Sequence, residues 1–137
     1  MTRVGLQLSR RVAERADYRC EYCQTPQAVT AQPFHVDHIL PRSRGGQTTA
    51  DNLCYACPRC NLLKGDRVSG IDPRTEREVP LFNPRRDQWA DHFLWSPTHL
   101  RLIGRTATGR ATIVALQLNA KMLVHARKMW ILLRLLD

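Results

Sequence analysis

The sequence has no apolar run of about 18 residues, the length that a membrane-spanning helix needs. Its N-terminus also lacks the succession of basic, apolar and small residues that is typical of a secretory signal. Internal repeats and low-complexity segments are absent as well, which argues against a repeat array. We therefore expect a folded, cytoplasmic protein that does not enter a membrane.

Acidic residues are few: 12 Asp and Glu stand against 21 Lys and Arg, for a formal net charge of +9 and a pI near 10.1. A surplus of this size on a small chain favours a polyanionic partner, and nucleic acid is the first candidate. A basic surface that serves only solubility is the alternative, because basic charge by itself identifies no chemistry.

The chain is short, and its 137 residues correspond to about one domain. A hydrophobic fraction of 43% and an ordinary charged fraction argue against wholesale disorder. A chain of this length buries a core, but not a large one, so a structural metal would help it to fold.

The five cysteines include two C-x-x-C pairs, Cys20 with Cys23 and Cys57 with Cys60. In an intracellular protein this spacing favours metal over disulfides, and four thiolates satisfy Zn²⁺ tetrahedrally. Cys54 with Cys57 also has the C-x-x-C spacing. We prefer Cys57 with Cys60 because it places Asn61 directly behind the turn, and we interpret Cys54 as a small buried residue.

The stretch between the two pairs is typical of a compact ββα unit. Residues 34–40 alternate like a strand, and residues 52–56 are expected to return as a second strand. The intervening 42–51 form a loop with a Gly-Gly turn, and Asn61–Lys64 is predicted to be a helical turn closed by Gly65. A zinc ion would pin this helix to the hairpin.

Outside this unit we expect mostly helix. A first helix is predicted from Ser9, as its N-cap, to about Tyr18, and 66–82 are predicted to form an irregular arm. Asn83 followed by proline is a good helix start, and Trp89, Phe93 and Leu94 would form the apolar stripe of a helix that ends before Pro97.

The tail is predicted to contain a strand over 99–103 and two helices. Thr106 or Thr108 would cap the first, over 109–118, with Ala111, Val114, Ala115 and Leu118 facing inward. Asn119 would cap the second, which is expected to turn an apolar stripe inward and to leave the basic residues Lys121, Arg127, Lys128 and Arg134 outside. Because residues 131–136 are apolar nearly all round, this helix is a candidate surface for a homodimer.

The chemistry-bearing side chains lie in the central unit. Asp37 offers a hard anionic ligand for a divalent ion, and His38 offers a base that titrates near neutral pH. Asn61 offers a second ligand through its amide oxygen, while Asn52 can bond to the backbone and hold His38 in place. A regular strand points Asp37 and His38 to opposite faces, so the strand must end, twist or bulge there if both serve one phosphate.

This set of residues resembles the HNH endonuclease family, which has the ββα-metal or His-Me finger fold, over roughly residues 18–67. The residues that carry the resemblance are Asp37-His38-Ile39-Leu40-Pro41, Gly45-Gly46, Asp51-Asn52-Leu53, Cys57-Pro58-Arg59-Cys60-Asn61 and Lys64.

The resemblance implies a small α+β nuclease core, and the patterns described above predict an N-terminal helix and a mainly helical C-terminal extension on either side of it. It implies His38 as general base, Asn52 as brace, Asp37 and Asn61 as ligands of a catalytic cation, and a structural zinc on the four paired cysteines. We expect the core over 1–67 and the extension over 68–137, packed together as one compact domain that hydrolyses phosphodiester bonds in DNA.

One position departs from the common form of the family, because Asn61 stands where histidine is frequent. An amide oxygen in place of an imidazole suits Mg²⁺ or Mn²⁺ better than Zn²⁺. Candidate phosphate contacts are the basic residues flanking the site, namely Arg42, Arg44, Arg59, Lys64 and Arg67.

Two other classes of function remain open at this point. One is a zinc-stabilised nucleic-acid-binding module with an inactive site, although a pure binder has no use for the conjunction of Asp37, His38, Asn52 and Asn61. The other is a redox protein, which needs one C-x-x-C pair to be free. We interpret His35 as a solvent-facing strand residue, with an extra phosphate or metal contact as the alternative, and His92 as a packing or surface residue.

Overall fold

The computed structural model describes residues 4–136. Within them the chain forms helices and three separate two-stranded antiparallel sheets, so the predicted α+β class is confirmed. The helices are α1 (Leu6–Arg15), α2 (Gln27–Thr30), α3 (Pro58–Lys64), α4 (Trp89–His92), α5 (Ala107–Ala115) and α6 (Lys121–Leu132). The strands are β1 (His35–His38), β2 (Leu53–Ala56), β3 (Ser69–Ile71), β4 (Glu78–Pro80), β5 (Phe93–Trp95) and β6 (Leu102–Gly104).

The chain divides into two compact units. The first runs through Arg67 and also contains Asn83–Arg86, and the second consists of Val68–Phe82 and the residues from Asp87 onward. The expected packing of the extension on the core as one compact domain stays a prediction. None of the helices within residues 4–136 has the length and apolar character of a membrane span.

The first unit is built on the hairpin of β1 and β2. The register pairs His35 with Ala56 and His38 with Leu53, and all four residues of β2 are buried. The first strand is shorter than the predicted 34–40, since it ends at His38. Beyond it, the Ile39 N–H still donates a hydrogen bond to Asn52 O at 2.9 Å. The second strand and its antiparallel pairing are confirmed.

Helix α3 follows β2 directly and completes the ββα order. The Cys57 side chain caps it by accepting from the Cys60 N–H, Pro58 occupies its first turn, and Gly65 at φ 56° closes it. The predicted helical turn is therefore confirmed, and it begins earlier than expected because a cysteine serves as the N-cap.

Helix α1 packs Val12 and Ala13 into the first unit, as expected. Its predicted N-cap is wrong, because the helix starts at Leu6 and the Ser9 N–H is already bonded to Gly5 O at 2.9 Å. It also ends earlier, since Asp17 and Tyr18 adopt left-handed backbone conformations that a right-handed helix excludes.

Two predictions for the segment that follows α3 are wrong. The supposed irregular arm forms the β3–β4 hairpin, in which Gly70 pairs with Val79. The long helix expected after Asn83 is a turn, in which Asn83 Oδ1 accepts from the N–H groups of Arg85 and Arg86, followed by the short helix α4. Phe93–Trp95 pairs with β6 instead of continuing that helix.

The tail agrees with the sequence in part. Thr106 caps α5 by accepting from the Gly109 N–H, and Ala111 is buried, but Val114 is exposed. The predicted cap of the last helix is wrong, because Asn119 bonds to both backbone groups of Leu102.

Arg127 is buried and not on the outer surface as predicted. Its Nη1 donates to Leu100 O at 3.0 Å, and its guanidinium lies over the Trp95 ring. Leu132, Leu133 and Leu135 are exposed near the end of α6, and a homodimer formed there stays a prediction.

A buried ion pair holds the β3–β4 turn of the second unit. Asp72 is fully buried and accepts from the Arg110 guanidinium at 2.9 and 3.0 Å and from the Thr75 hydroxyl at 2.7 Å. The hydrogen bonds from Arg110 hold the pKa of this carboxyl well below its usual range, against the opposing effect of burial.

We predict that Asp72→Asn lowers the Tm at pH 7 by about 5 °C or more, since it breaks a buried pair. The folded-state pKa lies below the unfolded value of about 3.9, so the stabilisation is present above that pH and is lost as the pH falls through the folded pKa. The difference in Tm between wild type and Asp72→Asn should therefore be smaller at pH 3 than at pH 7. Thermal unfolding of this variant, beside Glu76→Gln at an exposed position of the same turn, tests it, and an equal deficit at both pH values would contradict it.

Candidate active site and metal centre

Four cysteines converge in the first unit. The Sγ atoms of Cys20, Cys23, Cys57 and Cys60 all lie within 4.8 Å of one another, and all four residues are buried. Each C-x-x-C pair forms a tight turn, in which the backbone N–H of the second cysteine points at the Sγ atom of the first. The N···S distance is 3.5 Å from Cys23 to Cys20 and 3.3 Å from Cys60 to Cys57. A buried, compact set of four sulfurs is the donor set that Zn²⁺ prefers, so these residues fit a structural zinc ion.

Cys54 lies outside this cluster, as predicted. It sits in β2 with its Sγ 3.6 Å from the Tyr22 hydroxyl, and burial raises the pKa of its thiol to about 12. A thiol with so high a pKa stays protonated, so it is a poor metal ligand and a poor nucleophile.

Asp37 lies in β1 opposite Cys54, with its side chain only 17% exposed. Burial raises the pKa of its carboxyl, while the neighbouring Lys64 ammonium acts in the opposite direction. Its Oδ2 lies 3.2 Å from Lys64 Nζ but receives no well-aligned hydrogen bond from any residue within 4–136. Lys64 therefore offsets part of the charge of this enclosed oxygen, and Oδ1 is the other carboxylate oxygen that a divalent cation could use.

His38 is the last residue of β1, and its side chain is partly exposed. The Nε2 atom lies 2.8 Å from Thr48 Oγ1, which leaves Nδ1 as the other ring nitrogen for chemistry. Partial burial lowers the pKa of His38, the Asp37 carboxylate opposes this, and the charges of Arg42 and Lys64 reinforce it. A lowered pKa favours the neutral ring, which is the form that a general base needs.

Asn52 ties the loop between the two strands to the end of β1. Its Oδ1 accepts from the Leu40 N–H at 2.9 Å, and its Nδ2 donates to Leu40 O at 3.1 Å and to Gln47 O at 2.8 Å. These bonds fix the chain two residues beyond His38, so Asn52 acts on the loop and not on the imidazole itself.

Gly46 lies against this junction. A Cβ atom at this position would lie 1.7 Å from Leu40 O and 3.0 Å from Asn52 Nδ2, so only glycine fits without a shift of the backbone. The second glycine of the Gly-Gly turn is therefore a steric requirement of the loop.

Asn61 is the middle residue of α3 and directly follows Cys60 of the four-cysteine cluster. Lys64 lies three positions later on the same helix, and its Nζ reaches Asp37 and His38 O in β1. Residues three apart are neighbours on a helix surface, so Asn61 lies beside Lys64 on α3.

The predicted phosphate contacts differ in their surroundings. Arg42 and Arg44 are exposed on the loop, with Arg44 Nε bonded to Asp66 O, and Arg67 is exposed after α3. Arg59 is partly exposed on α3. Lys64 is only 2% exposed and its ammonium faces Asp37, so the surface role predicted for it does not fit its position.

The sequence did not predict two contacts of the first unit. Thr48, which contacts His38, stands ten residues later in a polar loop, and nothing in that spacing distinguishes it from its neighbours. Arg85 pairs with Glu21 between the first two cysteines, and Glu21 Oε2 also accepts from the Tyr55 N–H at 2.8 Å. A separation of 64 residues leaves no local signal for such a pair.

The fold and the site define an α+β protein whose ββα unit carries a buried four-cysteine cluster. Residues 20–67 match the family described as HNH endonuclease, so the resemblance found in the sequence is confirmed over that segment. The match covers about a third of the chain and includes both cysteine pairs. No curated protein and no solved structure matches the chain.

We predict one tightly held zinc ion per chain in the wild type and in Cys54→Ala, and loss of that zinc in Cys57→Ala. Both cysteines are buried, but only Cys57 belongs to the four-sulfur cluster. Elemental analysis after dialysis measures the stoichiometry. Zinc retained by Cys57→Ala and lost by Cys54→Ala would contradict the assignment.

We predict that Gly46→Ala lowers the free energy of unfolding by about 1–3 kcal/mol, because the added methyl group collides with the Leu40 carbonyl. Zinc content should not change, since the loop contributes no sulfur. Ser43→Ala, at an exposed position of the same loop, is the matched control. Chemical denaturation of both variants tests this, and equal stability would show that the loop relaxes freely.

Proposed function

We propose that this protein is a metal-dependent DNA endonuclease that hydrolyses phosphodiester bonds with His38 as general base. The observation that carries the proposal is the convergence of three elements at the end of β1. Asp37 and His38 occupy its last two positions, Asn52 fastens the following loop, and α3 carries Asn61 three positions before Lys64, whose ammonium contacts both β1 residues.

Hydrolysis of a phosphodiester needs a base for water, a cation for the developing charge and a fixed geometry between them. His38 Nδ1 would accept the proton of the attacking water, and Thr48 would hold the ring through Nε2. Asp37 and Asn61 would hold the cation, which when bound stabilises negative charge on the phosphate. Two oxygen donors favour Mg²⁺ or Mn²⁺.

The strand geometry supports this assignment. Alternation along β1 separates Asp37 from His38, but β1 ends at His38 and the chain then turns into the loop. The Asp37 carboxylate remains close enough to His38 to influence its pKa, and Lys64 Nζ contacts both residues. One cation beside Asp37 is therefore compatible with a base at residue 38.

The charge distribution supports DNA as the substrate. The first unit contains 12 basic and six acidic residues, so it carries a net charge of +6 out of the total of +9. Arg42 and Arg44 are exposed on the loop between β1 and β2, and Arg67 is exposed just after α3. These arginines would contact phosphates and position the duplex without reading its sequence.

We predict that His38→Ala lowers the cleavage rate of supercoiled plasmid in Mg²⁺ or Mn²⁺ by about 100-fold or more, since it removes the base. DNA affinity should change little, because the arginines remain. His35→Ala is the matched control, as it removes an exposed imidazole from the same strand. Plasmid nicking assays and filter binding measure the two quantities.

Full cleavage by His38→Ala would contradict the assigned base. Binding without cleavage by the wild type under every divalent cation would favour the alternative, a zinc-stabilised nucleic-acid-binding module. Robust cleavage with Zn²⁺ and none with Mg²⁺ would contradict the oxygen-donor site.

A further inference from the structure

Lys64 is an unusual residue for the inside of a small unit, because lysine is almost never fully buried unless it is paired. Its residue exposure is 2%, and its Nζ lies 3.2 Å from Asp37 Oδ2 and 3.2 Å from His38 O. The ammonium therefore spans the two residues to which the cation and the base are assigned.

The contact with Asp37 is specific to one carboxylate oxygen. Oδ2 is enclosed, while the side chain as a whole keeps 17% exposure, so the exposure belongs to its other atoms. Among those atoms Oδ1 is the only metal donor. Lys64 thus pairs with the enclosed oxygen, and Oδ1 is the carboxylate oxygen that this ion pair does not use.

The four-sulfur cluster would fix the position of Lys64 through helix α3. Cys60 and Lys64 lie four positions apart in α3, on one face of the helix, and both are buried. A metal bound by Cys60 fixes the helix, and the helix then carries the ammonium to β1.

We propose that Lys64 is a positioning residue for the cation ligand Asp37, holding Oδ2 so that Oδ1 faces the cation. The inference rests on the proposed function, in which Asp37 is a ligand, and it assigns Lys64 a role that is distinct from contact with DNA. Partners that orient a ligand from behind affect metal affinity strongly, and their loss typically costs 10-fold to 100-fold.

The pairing is tested first without DNA or a catalytic cation, on zinc-loaded protein. Lys64→Met and Asp37→Asn each leave one buried charge without its partner, whereas the double variant removes both charges. We expect the double variant to unfold at a higher temperature than either single variant. If the losses of unfolding temperature in the two single variants add up in the double variant, the pairing of Lys64 with Asp37 is overturned. Lys128→Met, which removes an exposed lysine from α6, controls for the loss of a positive charge.

The positioning role is tested by Mn²⁺ affinity in the absence of DNA, measured from the electron paramagnetic resonance signal of free Mn²⁺. We expect Lys64→Met to bind Mn²⁺ at least about tenfold more weakly than wild type, because the unheld carboxylate turns its inner oxygen towards water. Lys128→Met should bind as wild type does, and zinc content should be equal in all three.

The direction of the change distinguishes positioning from competition. Unchanged or tighter Mn²⁺ binding by Lys64→Met would overturn the inference, since Lys64 would then be only a charge that opposes the cation. Unchanged binding by Asp37→Asn would overturn it as well, because Asp37 would not be a ligand. These affinities and unfolding curves decide the role of Lys64, whereas plasmid cleavage decides the nuclease proposal, so the two can fail separately.

Discussion

The four-sulfur cluster is the constraint on which the first unit depends. Its cysteines lie on two turns, one before β1 and one at the start of α3, and their sulfurs come within 4.8 Å of one another. The strands that they enclose contain only four residues each, and a two-stranded hairpin of that length is marginal by itself. Metal binding at such a cluster would contribute folding free energy directly, and it would give the hairpin and the helix a fixed relation that their own packing does not supply.

The proposed active site uses that fixed relation. Asp37 and His38 lie on the hairpin, and Asn61 and Lys64 lie on the helix. Cys60, on the same helix, belongs to the four-sulfur cluster and would link the helix to the metal. Asn52 adds a second restraint by bonding to the loop at Leu40 and Gln47. The zinc ion would thus be structural and remote from the reaction, yet it would set the distances on which hydrolysis depends.

The sequence predicts those parts of the fold that depend on local spacing. The two cysteine pairs, the ββα order and the cap at Thr106 follow from residue type and separation along the chain. Distant contacts are not predictable in this way. Asn119 and Arg127 read as a cap and as a surface charge, but they bond to backbone groups of Leu102 and Leu100, which only the folded chain brings near.

The proposed cation site is tested most directly by diffraction from crystals soaked in Mn²⁺, with the ion located by its anomalous signal. The account predicts a peak beside Asp37 Oδ1 and the Asn61 amide oxygen, at about 2.1 Å from each, and a separate zinc peak within the four sulfurs. A manganese peak at another place, or Asn61 turned away from Asp37, would contradict it.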